Sequence, residues 1–230
     1  MNRNFSAFCA AMLAFALMLV ICGGFWANNK KFSLAETEST VKTVYLTFDD
    51  GPSDRVTPKI LDVLAEENVK ATFFIIGAQA ENRKYIIKRE FEEGHTVAVH
   101  SYTHKYNEIY SSVKNLIEDI DRCNDVIKGI TGSRSSVYRF PGGSFGLSGG
   151  LISAVTAHGM RYVDWNASTR DAEICDATPS QILNATISTS AKAENVVLLA
   201  HDSTTKTATA EALKDIIRYY KDNGYVFGLF

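Results

Sequence analysis

Cysteine is scarce: the 230 residues hold 4, and two of them, Cys9 and Cys22, fall inside an apolar N-terminal stretch. Only Cys123 and Cys175 remain for the rest of the chain. They allow one bridge rather than a disulfide framework, and without a C-x-x-C pair neither a zinc ribbon nor a thioredoxin-like redox site is in play. Proline is as rare, at 4 residues beside 15 glycines, which excludes a collagen or a disordered chain. Basic excess is missing too. Lys and Arg number 24 against 26 Asp and Glu, and Arg3, Lys30 and Lys31 all precede the first acid at Glu36, so the remainder is acidic and a nucleic-acid binder is excluded. Outside residues 5–26 no long apolar run occurs, which excludes a multi-span transporter. A chain of this length builds a hydrophobic core without staples, so metal ligands found in it point to catalysis rather than to structure.

The apolar run from Phe5 to Trp26 is flanked by Arg3 and by Asn28-Asn29-Lys30-Lys31 and is about long enough to span a bilayer. Residues 1–31 read as a membrane anchor or, with Ser33-Leu34-Ala35 as a cleavage site, as a signal peptide. Ile21 before Cys22 speaks against a lipoprotein. Residues 32–41 read as a linker and 42–230 as one extracytoplasmic domain, attached to the membrane or secreted, and expected to be a monomer.

Short β-rich runs alternate with helical patterns through that domain. Strands are expected at Val41–Phe48, Ala71–Ile76, Thr96–Val99, Val137–Phe140, Arg161–Asn166, Asn195–Leu199 and Tyr225–Leu229. Six helices are expected between them, on apolar spacings such as Ile86, Ile87, Phe91 and Val113, Leu116, Ile117, Ile120, Ile127. Gly94, Gly159 and Gly224 stand where helices end. The alternation fits an open doubly wound sheet or a barrel short of eight units. An open sheet gathers its chemistry at one switch point, whereas here polar residues follow five different strands. The expected fold is therefore α/β, a distorted, incomplete (β/α) barrel with about seven parallel strands.

Asp49 and Asp50 end the first strand. Side chains alternate along a strand, so the two carboxylates should point different ways, one to a metal and one to a substrate as base. Taken alone the pair would equally be a turn with a helix N-cap. His100 and His104, spaced i, i+4, would share one face of a helical turn within reach of a single ion. With Asp50 they make a two-histidine, one-carboxylate set open to water. Arg139, at the end of the fourth strand, would hold a carboxylate bidentately, and the glycines behind it would let backbone N–H groups approach a substrate. His201 ends a buried apolar strand and suits a general acid for an amine leaving group. Asp171 is the first choice to orient it, ahead of Asp164 and Asp202. His95 and His158 read as capping or surface residues.

In order, Thr47-Phe48-Asp49-Asp50-Gly51-Pro52, His100-Ser101-x-x-His104, Arg139-x-Pro141-x-Gly143 and Leu199-x-His201-Asp202 resemble the motifs of the polysaccharide deacetylases, the NodB-homology domain of carbohydrate esterase family four. The likeness spans about residues 42–230. It implies a distorted barrel and metal-dependent removal of acetyl groups from a polysaccharide. Carried onto this chain, it implies Asp50, His100 and His104 as ligands of one divalent metal, zinc ahead of cobalt, nickel or manganese. Asp49 would be the base, Arg139 its tether, His201 the acid and Asp171 that acid's partner. Gly142, Leu199 and Trp165 would bind substrate, Gly142 through its N–H and Leu199 against the acetyl methyl. Ala172 stands where many members have Trp and Gly142 where many have Tyr, which strips aromatic surface from the cleft. Peptidoglycan is the expected substrate, from location alone; chitin oligomers, poly-N-acetylglucosamine and O-acetyl xylan suit the same site. A wall-binding protein without activity would lack the base or the acid, and a phosphoesterase would want more carboxylates.

Overall fold

The computed structural model describes residues 41–230; the expected anchor or signal and nearly all of the expected linker lie outside the described residues. Among the described residues, no helix is long and apolar enough to cross a membrane.

The described residues form eight strands: β1 Thr43–Gly51, β2 Thr72–Ile76, β3 Thr96–Ser101, β4 Val137–Tyr138, β5 Arg161–Tyr162, β6 Ala167–Ser168, β7 Asn195–His201 and β8 Val226–Phe227. The helices between them are α1 Thr57–Glu66, α2 Gly77–Ala80, α3 Lys84–Glu92, α4 Tyr106–Ile109, α5 Val113–Thr131, α6 Gly149–Ala157, α7 Pro179–Ser190 and α8 Thr207–Asp222. The six expected helices are there, joined by the short turns α2 and α4. Phe91 and Val113, counted toward the apolar stripes, are instead exposed, at 46% and 44%. Each sits at a helix end, beyond the turns that face the sheet.

All strand pairings are parallel. The order is β5-β4-β3-β2-β1-β7-β6, with β8 beside the start of β1. Seven strands laid flat would span about 29 Å, at roughly 4.8 Å per step. Yet the outermost two, β5 and β6, are joined by only the four residues 163–166, which reach no further than about 19 Å. The sheet therefore has to curl, and the result is the expected incomplete barrel, a curled half-barrel of parallel strands. The run Arg161–Asn166, expected as one strand, is the seam: its first part pairs with β4, and β6 just beyond it pairs with β7. Val163 N–H donates to Tyr138 O and Asn166 N–H to Val197 O, so this segment serves two neighbours in turn.

Alternation divides the core into two layers. Val44, Leu46 and Phe48 of β1 face the helices with Ile60, Leu64, Leu213 and Ile217. Inside the curl lies a small cluster of Phe74, Ala98 and Val137 against Val163 and Phe230. Phe230 stacks on Tyr45 at 4.5 Å and accepts at its carbonyl from Thr96 Oγ1, so the C-terminal segment plugs the floor at the strands' N-terminal ends. The other end stays open, where β1, β3 and β7 finish. Cys123 is buried and Cys175 exposed, both free thiols.

Candidate active site

β1 and β7 are in register so that Asp49 lies opposite His201. Strict alternation would turn Asp50 outward, toward the helices. Instead β1 carries a bulge between Asp49 and Gly51, and Asp50 takes a left-handed backbone with φ 71°. A bulge re-aims a side chain, and here it corrects the expectation that the two carboxylates point apart. Both reach the same mouth: Asp50 Oδ1 is 3.4 Å from His100 Nε2 and 3.2 Å from His104 Nε2, while Asp49 Oδ2 is 4.0 Å from His100 Nε2.

The two histidines are not on one helical turn. His100 lies at the end of β3, and His104 comes after a loop and adopts φ 57°. Their rings nonetheless lie 5.1 Å apart, because Asp119 of α5 holds the loop between them. Its carboxylate accepts from Ser101 Oγ (2.6 Å), Tyr102 N–H (2.8 Å), Thr103 N–H (3.0 Å) and Thr103 Oγ1 (3.0 Å). Ser101 Oγ in turn accepts from His104 N–H at 2.8 Å. The sequence hides Asp119: on an amphipathic helix an acid reads as part of the solvent face.

His100 Nδ1 is 2.9 Å from the Arg139 carbonyl, a bond only an Nδ1–H can make, which leaves the Nε2 lone pair facing the mouth. Asp50 Oδ1 is buried without a hydrogen-bond partner. Ligand atoms from Asp50, His100 and His104 lie within 4.8 Å of one another. Burial by itself would raise the Asp50 pKa, but His100, His104 and His201 outweigh it and hold the carboxyl at about 2. An ionised, unpartnered oxygen facing two imidazole nitrogens fits a divalent cation.

Arg139 is fully buried and does not make the bidentate clamp expected of it. One nitrogen, Nη1, donates to Asp49 Oδ1 (2.9 Å) and to Thr47 Oγ1 (2.7 Å). Nε donates to Val163 O at 2.9 Å and Nη2 reaches Asp164 O at 3.4 Å, both on the seam. The guanidinium rests 4.2 Å over Phe74.

His201 Nδ1 meets Asp171 Oδ1 at 2.7 Å, so its Nε2 is the free nitrogen. Asp171 Oδ2 accepts from His201 N–H and from Thr209 Oγ1, both at 2.8 Å. Burial would lower the imidazole pKa, yet the Asp171 bond and the charges of Asp171, Asp49 and Asp50 raise it to about 9. The rivals are engaged elsewhere: Asp164 accepts from Ser144, and Asp202 from Thr57 Oγ1 at 2.5 Å. Leu199 precedes His201 by two residues on the same face of β7 and is buried. Trp165 rides on the seam, 5.7 Å from the Arg139 guanidinium. Gly142 is exposed with φ 78°, and among the described residues its N–H has no hydrogen-bond partner, whereas Gly143 N–H donates to Phe140 O. His158 ends α6 beside Asp121, a surface role as expected. His95 is a correction: it is buried, and its Nδ1 accepts from Ala71 N–H, a tie between the residues that lead into β3 and β2 that no local pattern reveals.

A family model described as polysaccharide deacetylase matches residues 36–163. A peptidoglycan-N-acetylglucosamine deacetylase of Bacillus cereus is 33% identical over 191 residues, covering 81% of this chain and 68% of that protein. The peptidoglycan-N-acetylmuramic acid deacetylase PdaA of Bacillus subtilis is 32% identical over 198 residues, covering 85% and 72%. Among solved structures, a CE4 esterase from Streptococcus mutans superposes with a TM-score of 0.77 at 36% identity, covering 82% of this chain and 86% of that one.

Proposed function

Because the chain belongs to the polysaccharide deacetylase family, we propose that this enzyme removes N-acetyl groups from peptidoglycan amino sugars outside the cytoplasm, using one divalent metal. The observation that carries the reading is the convergence of Asp50, His100 and His104 beside Asp49 and His201, which β1 and β7 hold opposite each other.

Asp50, His100 and His104 would hold the metal, zinc ahead of cobalt, nickel or manganese for two imidazoles and a carboxylate. When bound there, it supplies Lewis-acid polarisation of the acetyl carbonyl and a water acidic enough to attack near neutral pH. The remaining work falls to the chain. Asp49 Oδ1 is fixed by Arg139 and leaves Oδ2 to take the proton from the attacking water. The Gly142 N–H faces the developing oxyanion. His201 gives its Nε2 proton to the departing amine, and Asp171 keeps that proton in place by occupying Nδ1. Acetate and a free amino sugar leave. The leader would keep the domain at the membrane or export it; residues 42–230 would be the catalytic domain, acting as a monomer.

The test is acetate release by the purified chain, stripped of metal and resupplied with zinc or cobalt, from peptidoglycan and from N-acetylglucosamine oligomers. Metal-dependent acetate from peptidoglycan is expected. Metal bound with no acetate from any acetylated glycan would replace this reading with a wall-binding one.

The contacts behind the ligands set two smaller expectations. Asp119→Asn keeps the size of the side chain but loses acceptor capacity for four donors, so the His104 loop loosens. Zinc affinity should fall about 10- to 100-fold in competition with a chromophoric chelator; unchanged affinity would show that the loop needs no clasp. In the metal-free protein the His201 ring should titrate near 9, and in Asp171→Asn its pKa should return toward 6.5 by NMR. A folded-state pKa raised above the unfolded value means that the pair's stabilisation is full below about 6.5 and lost as pH rises through about 9. The gap in urea midpoint between the two proteins should accordingly close above that pH.

A further inference from the structure

We propose that Gln79 is a positioning residue for Asp50, and that the short helix carrying it, α2, sets the distance between the two chain segments that supply the metal ligands. The inference rests on the metal-dependent reading of Asp50, His100 and His104.

The bulge that turns Asp50 into the mouth puts its backbone outside the sheet. Asp49 stands opposite Phe74 and Gly51 opposite Ile75, so Asp50 has no counterpart on β2, and the pairing with β7 ends at Asp49. Its φ of 71° is a left-handed conformation that a residue with a Cβ keeps only where its surroundings hold it. A carbonyl displaced from a sheet also needs a donor from elsewhere. For Asp50 that donor is Gln79, whose Nε2 donates to Asp50 O at 3.2 Å. The half-buried Gln79 side chain thus fixes the peptide next to the ligand carboxylate. Gly51, on the far side of the bulge, is backed as well: a Cβ added there would collide with the Asp202 carboxyl group, and Asp202 N–H donates to Asp49 O at 3.1 Å. The turn is gripped between α2 and the residue that follows β7.

The same helix reaches the histidines. Gly77 opens α2, and a Cβ there would come within 2.7 Å of the Tyr102 ring and 3.1 Å of Cys123 Cα, so glycine lets the helix lie this close. Ala78 N–H then donates to Tyr102 O at 3.1 Å, and Tyr102 OH donates to Glu81 Oε2 at 2.9 Å, directly after α2. Tyr102 belongs to the loop between His100 and His104 that Asp119 holds from its other side. One four-residue element therefore touches both halves of the ligand set, Asp50 through the Gln79 side chain and the imidazole loop through the Ala78 N–H. Ligands fixed before an ion arrives give up less freedom on binding it, and contacts of this kind behind metal ligands are worth about 10- to 100-fold in affinity. Gln79 lies outside all four recognised motifs.

The experiment uses Gln79→Met, which keeps the length of the side chain but cannot donate, and Gln79→Ala, each alone and combined with Asp50→Ala in the full chain. Zinc affinity of the metal-free proteins is read by competition with a chromophoric chelator, and the visible absorption of bound cobalt reports the ligand geometry. Each single change at 79 should weaken zinc about tenfold and alter the cobalt spectrum. Combined with Asp50→Ala it should weaken zinc no further, because the contact works only through Asp50. Unchanged zinc affinity in Gln79→Met overturns the proposal. So does an equal loss in both backgrounds, which would make Gln79 a support of the fold at large. If the unaltered chain binds no zinc, the metal reading fails, and hydrogen exchange decides whether Gln79 holds the bulge. The Asp202 amide, bonded to Asp49 O, should then exchange about tenfold faster in Gln79→Met while the amides of β3 keep their rates; an equal rate at Asp202 overturns the proposal.

Discussion

Asp49→Asn should lower acetate release by about 10²- to 10⁴-fold, the usual worth of a positioned proton acceptor, and leave zinc binding intact. Two features of the site separate these outcomes. The nitrogens of His100 and His104 converge on Asp50 Oδ1, at 3.4 and 3.2 Å, while Asp49 Oδ2 stands 4.0 Å from the nearer of them. An asparagine at 49 can still accept from Arg139 through its amide oxygen, so the buried guanidinium keeps a partner and the fold should survive. The basic lone pair alone is lost. The paired experiment is Asp50→Asn, which should weaken zinc binding and activity together. Zinc stoichiometry and kcat measured on both variants decide the matter: metal lost at 49 and kept at 50 would mean that the two aspartates have exchanged roles.

The largest stability loss is expected from Arg139→Ala. The side chain is wholly buried and its donors serve Asp49, Thr47, Val163 O and Asp164 O. Removal strands the Asp49 carboxylate without its counter-charge and takes donors from two carbonyls of the seam. Breaking a buried pair from one side costs about 3–5 kcal/mol, which for a domain of this size lowers Tm on the order of 10 °C. Arg139→Lys should recover only part, since one ammonium cannot reach four acceptors spread over two elements. Urea denaturation at pH 7 is the measurement. A loss under about 1 kcal/mol would show that the interior tolerates the bare carboxylate, and would argue for water reaching it.

Residues at strand ends were legible because a parallel sheet advertises itself: buried runs such as Val196–Ala200 can hardly be anything else, and the residues directly after them land at the open end. Asp49, Asp50, His100, Arg139 and His201 were all reachable by that rule. The failures came where backbone geometry departs from a regular period. Alternation gave no hint of the bulge at Asp50, and the i, i+4 spacing of His100 and His104 imitates a helix although a loop joins them. Arg139 could be matched to a carboxylate but not to the seam carbonyls, since those exist as acceptors only after one expected strand divides. Asp119 acts across space from another element, and no local pattern in its neighbourhood announces a partner.

The division of that strand also bears on how the protein behaves among other copies of itself. An open sheet offers unpaired N–H and C=O groups at both margins, which invite strands from other molecules. Here each margin is a strand of two residues, Arg161–Tyr162 on one side and Ala167–Ser168 on the other. Neighbouring acceptors are already taken: the Arg139 side chain binds Val163 O and Asp164 O, and Thr189 Oγ1 donates to Ser168 O. Among the described residues these two margins thus offer little template for intermolecular β-pairing, and two of the acceptors beside them are held by the same arginine that anchors the proton acceptor.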